Sequence, residues 1–123
     1  MPVRYQIDGS QGLVFTEFSG EISYSTVALH FTSIRSDRSF KPHYSELLDL
    51  TGITRHMLRN SDFYHLAEQD PFSPTAPRAI VVTQDEAFEV VKLYQIVHKG
   101  PYVRKFCNRQ AALEWLSFHA TKG

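Results

Sequence analysis

What most constrains this chain is an alternation. Short apolar or β-branched runs, each a strand in length, are separated by stretches whose apolar residues recur with helical spacing. Residues 3–7 and 13–19 flank the turn-forming Asp8-Gly9-Ser10-Gln11-Gly12 and read as a hairpin. In the second of these runs Leu13 and Phe15 share one face while Val14, Thr16 and Phe18 share the other, so this strand is expected to be covered on both sides. Ser23 stands as an N-cap before residues 24–36, where Val27, Phe31 and Ile34 form one helical stripe. Residues 44–50 read as a buried central strand, with Thr51-Gly52 turning out of it, and Asn60 or Ser61 caps a short helix carrying Phe63, Leu66 and Ala67. Three prolines between Asp70 and Pro77 forbid a helix and mark a rigid loop. Arg78-Ala79-Ile80-Val81-Val82 then reads as a parallel strand buried on both faces. Thr83 and Glu86 fit a capping box opening a helix to about His98, stopped by Gly100-Pro101. A strand over residues 102–106 and a helix capped by Asn108, with Ala112, Trp115, Leu116 and His119 on one side, complete the order ββαβαβαβα. Such an order predicts an α/β fold: right-handed crossovers, a mixed, mainly parallel sheet flanked by helices, and the hairpin's antiparallel strand at or near an edge.

Composition bounds the partners. The 123 residues fit one domain, 1–123, and thirteen Lys and Arg balance thirteen Asp and Glu. A net charge of zero removes the general electrostatic case for nucleic acid. Lys92, Lys99, Arg104, Lys105 and Arg109, with Tyr94 and Tyr102 interleaved, could form a strip for it, but such charges more often form a solvated face. No apolar run is long enough to span a membrane, and the start of the chain lacks a signal-peptide pattern, so a cytoplasmic setting is expected. The single cysteine, Cys107, cannot form an internal disulfide and reads as a buried structural residue. The six histidines show no metal spacing, and neither a metal nor any other cofactor is expected. His30 and His119 lie near apolar helix faces and are expected at the edge of the core.

Phe18-Ser19-Gly20, Leu48-Asp49-Leu50-Thr51-Gly52, and Phe106 followed by Ala112-Leu113-Glu114-Trp115-Leu116 together resemble the SpoIIAA-like branch of the STAS superfamily, small bacterial proteins. The resemblance spans roughly Tyr5 to Leu116 and rests on core and turn positions. It implies a STAS-like fold and a regulatory, non-catalytic role. Anti-anti-sigma factors of this superfamily carry a phosphorylated serine in an Asp-Ser-Ser-Gly segment after the equivalent strand. Here residues 53–62 are longer and lack that segment, with Ser61 as the nearest counterpart.

Ligands of open parallel sheets bind beyond the carboxyl ends of the strands. That edge is expected to gather Thr51, Arg55, His56, Arg59 and Ser61 with Thr83, Asn108 and Arg109, a set suited to a small anion near helix N-termini. The plainer alternative makes Ser61, Thr83 and Asn108 caps and leaves the arginines solvated. Phe63, Tyr64 and Phe72 are expected at a protein interface, in a homodimer among other contacts, or over an apolar ligand pocket of the kind seen in SEC14-like lipid carriers, the plainer alternative being that these rings cover the core under the proline loop. The expectation is thus a binding or regulatory module acting on a protein partner or a small ligand. A carrier of a small apolar molecule is the alternative, and a small enzyme, with Cys107 near a histidine, the third.

Overall fold

The computed structural model describes residues 2–83, 90, 91, 94 and 102–119. Strands β1 (Val3–Asp8) and β2 (Leu13–Ile22) pair antiparallel around a turn in which Asp8 Oδ1 accepts from the Ser10 and Gln11 amides and Gly12 takes a φ of +61°. That left-handed backbone is the one a glycine adopts without strain. Helix α1 (Tyr24–Ser36) starts where Ser23 Oγ accepts from the Thr26 amide and Thr26 Oγ1 accepts from the Ser23 amide. It is followed by β3 (Ser45–His56), α2 (Asn60–Gln69), β4 (Arg78–Val81), β5 (Val103–Phe106) and α3 (Arg109–His119). Val90, Val91 and Tyr94, between β4 and β5, are helical. The capping box at 83–86 beyond Thr83, the Gly100-Pro101 stop, and Lys92 and Lys99 lie outside the described residues.

The sheet order is β1-β2-β3-β4-β5, antiparallel only between β1 and β2. The hairpin strand is therefore the edge, as its pattern predicts. Strand parity divides the sheet into two interiors. On one face Phe18, Ile22, Leu48, Leu50, Ile53, Ile80 and Val82 pack with Phe63 of α2 and with Val90 and Val91. On the other, Leu13, Leu47, Ala79 and Val81 receive Ala112 and Leu116 of α3. Helices thus lie on both faces, which is why β3 and β4 carry apolar side chains of both parities.

The sequence reading ends β3 six residues too early. Thr51-Gly52 is not a turn: β3 runs on to His56 alongside β2, with Ser19 opposite Gly52 and Ile22 opposite His56. The glycine is there for closeness. A Cβ on Gly52 would stand 3.0 Å from Ser19 Cβ and 3.3 Å from the Phe18 carbonyl oxygen, beside a register shift in β2. At α2 the cap is neither Asn60 nor Ser61. The chain enters through Arg59, whose amide donates to Asp62 Oδ2 at 2.8 Å.

Candidate functional site

Charged side chains occupy the face of the sheet that α1 and α2 cover. Glu46 and Arg78 are register neighbours on β3 and β4, and they point to that face, where they are 2% and 5% exposed. Arg78 Nε and Nη2 both donate to Glu46 Oε1 at 3.0 Å, and Nη1 donates to Asp70 Oδ2 at 2.9 Å. Thr16 Oγ1 donates to Glu46 Oε2 at 2.9 Å, and the Tyr94 hydroxyl donates to Asp70 Oδ2 at 3.0 Å. The Phe72 ring lies 4.3 Å from the guanidinium carbon. Asp70 opens the proline loop, and its Oδ1 also accepts from the Phe72 amide, so that loop holds both a carboxylate and a ring against Arg78.

Burial is costly for each of these ions, and the network balances it by mutual bonding. Burial opposes the charge on Arg78, yet Asp70, Tyr94 and Glu46 outweigh it and hold the guanidinium protonated. Burial pushes the Glu46 carboxyl up, against the pull of Arg78 and the Thr16 bond. Tyr94 is pushed well up by burial as well.

Beside this network, between the sheet and α1, α2 and the helical residues Val90, Val91 and Tyr94, is a cavity of about 50 Å³. Phe18, Leu48, Leu50, Phe63, Leu66 and Ile80 supply much of its wall, with Glu46, Arg78 and Tyr94 on its polar side. His30 lines it from α1. The imidazole is 3% exposed, and no described group bonds to either ring nitrogen. Tyr5 and Phe18 hold the ring at centroid distances of 5.5 and 5.4 Å. Burial, reinforced by Arg78, lowers its pKa from 6.5 to about 4, so the ring is neutral at pH 7. His30 is thus inside the core, not at its edge. Its position one turn from Val27 and Ile34 on the buried stripe is the signal that finds it. His119 is exposed on α3.

The residues expected at the carboxyl edge are dispersed by the length of β3. Thr51 donates from its amide and hydroxyl to Asp49 Oδ1 at 2.9 and 2.7 Å. Arg55 and His56 extend along β2 opposite Glu21 and Ile22, and His56 Nδ1 accepts from the Leu58 amide at 3.3 Å. Arg59 faces Asp62 and Arg109 faces Asp49, each at 3.9 Å. Asn108 Oδ1 caps α3 by accepting from the Ala111 amide at 2.8 Å. Ser61 and Thr83 are exposed.

Two of the three aromatic residues expected at an interface are buried instead. Phe63 is 4% exposed in the cavity wall and Phe72 is 6% exposed between Phe40 and Arg78, whereas Tyr64 is 57% exposed. The intervals explain this: α2 turns Phe63 inward with Leu66, and the proline loop folds Phe72 back under itself. Cys107 is likewise corrected. It is exposed, because β5 ends at Phe106 before it, and no described histidine bonds to it.

Among the described residues no helix is long and apolar enough to cross a membrane, and no group of three or more His, Cys, Asp or Glu side chains could hold a metal ion. The sheet order and the helices on both faces define a mixed α/β protein of SpoIIAA-like fold. The chain is similar to the crystal structure of an uncharacterised DUF3478-family protein with a SpoIIAA-like fold from Shewanella loihica PV-4. The TM-score is 0.62 at 18% identity, over 93% of each chain. No family model matches the chain, and no curated protein matches it in sequence.

Proposed function

We propose that this protein is a non-catalytic binding module that takes a small, largely apolar molecule into the cavity beneath α1 and α2. One observation carries the reading: a buried histidine lines an otherwise mostly apolar cavity with neither ring nitrogen bonded to a described group. Buried polar atoms are nearly always bonded, so an exception calls for an explanation, and a molecule held beside the ring supplies one. The polar network supports binding over catalysis, because Glu46, Asp70, Arg78 and Thr16 bond one another and, among the described residues, the cavity wall holds no serine, cysteine or lysine. The volume limits the ligand. About 50 Å³ is roughly a third of the ~150 Å³ at which an engineered core cavity takes up benzene, so a lipid chain would not fit without displacing a helix. The carboxyl-edge anion reading has weaker support, since Arg59 and Arg109 each already face a carboxylate.

Methyl-resolved NMR under xenon pressure tests the proposal. Shifts are expected at Leu48, Leu50 and Leu66, with Leu116 across the sheet as the silent control. Unmoved cavity methyls would reject it. A second reading, contact with a protein or a second copy of the chain, rests on Met57 and Tyr64, which are 50% and 57% exposed near the entry to α2. Light scattering on wild type and Tyr64→Ser decides the self-association form: a monomer in both cases dismisses it.

A further inference from the structure

We infer that the cavity selects an uncharged molecule bearing one hydrogen-bonding group, a hydroxyl or a carbonyl, seated against His30, and that it rejects carboxylates. The inference rests on the cavity being the binding site and adds the chemistry of what enters.

A neutral imidazole presents one N–H donor and one bare nitrogen acceptor. Both are buried without a described partner, and the ring is held in place by Tyr5 and Phe18. A hydroxyl can answer either nitrogen, while a carbonyl answers the donor. The remainder of a ligand would meet Leu48, Leu66 and Val91, which reward only apolar surface. Charge sets the exclusion. The cavity's polar side carries the Glu46 carboxylate and the Arg78 guanidinium, and that guanidinium donates both to Glu46 and to Asp70, which lies behind it outside the wall. Among the described residues no other lysine or arginine lines the cavity. An entering carboxylate would therefore leave water for a site whose described cation is already shared between two acids. On the same scale the volume suits a molecule of roughly two or three heavy atoms, beyond the size of a single water.

Ethanol and formate, each of three heavy atoms, separate these cases, with xenon as the purely apolar control. Wild type and His30→Leu, a change of similar volume, are titrated with each and followed by the cavity methyls and, in wild type, by the imidazole nitrogens of His30. Ethanol is expected to shift the methyls and the ring-nitrogen signals. Formate should shift neither at equal concentration. His30→Leu should bind ethanol about tenfold more weakly, as loss of one buried hydrogen bond implies, yet admit xenon like wild type, which also shows that it is folded. If xenon enters both proteins but formate binds as well as ethanol, or His30→Leu keeps its ethanol affinity, the selectivity is refuted and the cavity reading stands. If xenon enters neither, both fall.

Discussion

Acidification should weaken this fold through one side chain, His30. In the native state burial lowers the imidazole pKa from 6.5 to about 4, so the folded protein binds that proton only in strong acid while the unfolded chain binds it near pH 6.5. For a group depressed in this way, stability is complete above the unfolded value, is lost as pH falls from 6.5 towards 4, and changes no further below that. At pH 5 the unfolded imidazole is almost wholly charged and the folded one about a tenth charged. The ratio of the two binding polynomials is roughly 30, which corresponds to about 2 kcal/mol lost between pH 7 and pH 5. For a chain of 123 residues that is a Tm change of about 8 °C. Glu46 acts with the opposite sign, since its raised pKa makes the folded state bind a proton more readily as pH falls. Wild type alone would therefore show a blunted slope. The comparison that isolates the imidazole is urea unfolding of wild type and His30→Leu at pH 7, 6 and 5, followed by circular dichroism. The difference between the two proteins should move by about 2 kcal/mol in favour of the variant as pH drops to 5. Parallel curves across that range would refute the burial argument, because they would mean that the imidazole titrates alike in the folded and unfolded states.

Arg78→Met should cost about 3–5 kcal/mol, since it leaves Glu46 and Asp70 buried without their cation, and the urea midpoint reports it. The loss should shrink at low pH, where the stranded acids can take up protons. Gly52→Ala should destabilise by about 1–3 kcal/mol, because its methyl meets the backbone and Cβ of β2 rather than a movable side chain. Cys107 should react with one equivalent of a water-soluble disulfide reagent in the native protein, at a rate that urea barely changes. Protection of that thiol until unfolding would contradict its exposed position after β5.

The fold was readable where local pattern and packing agree. Ser23 before the Val27, Phe31, Ile34 stripe predicts α1 with its observed ends, and the run from Arg78 to Val82 predicts a strand buried on both faces. Gly52 misled because a glycine after Asp49-Leu50-Thr51 signals a turn, while here it serves a close approach between parallel strands that only the paired structure reveals. The site was hidden for a related reason. Glu46 and Arg78 each sit in an apolar run, and a lone charge there reads as the solvent-facing member of an alternation. In a strand covered twice there is no solvent-facing parity, so each charge needed a partner inside. Asp70, across the proline loop from Arg78, and Tyr94, beyond β4, join them only through tertiary packing. His30 was within reach of the helical period, since it shares the stripe of α1, but its lack of a described partner is a property of the assembled core.

The direct opposition of Glu46 and Arg78 on neighbouring parallel strands bears on how this sheet can go wrong. Purely aliphatic strands, like the leucines of β3 against Ala79–Val81, would slide past each other with little change in buried area. A slip of one residue, however, would turn the Arg78 side chain to the opposite face, beneath Ala112 and Leu116, where only hydrocarbon awaits it. A slip of two would keep the face but set the guanidinium against Leu48 or Tyr44, stranding both ions. The charged pair therefore acts as an alignment key. It makes every mispaired intermediate of the β3–β4 step sharply unfavourable, so this stretch of sheet should form in one register or not persist at all.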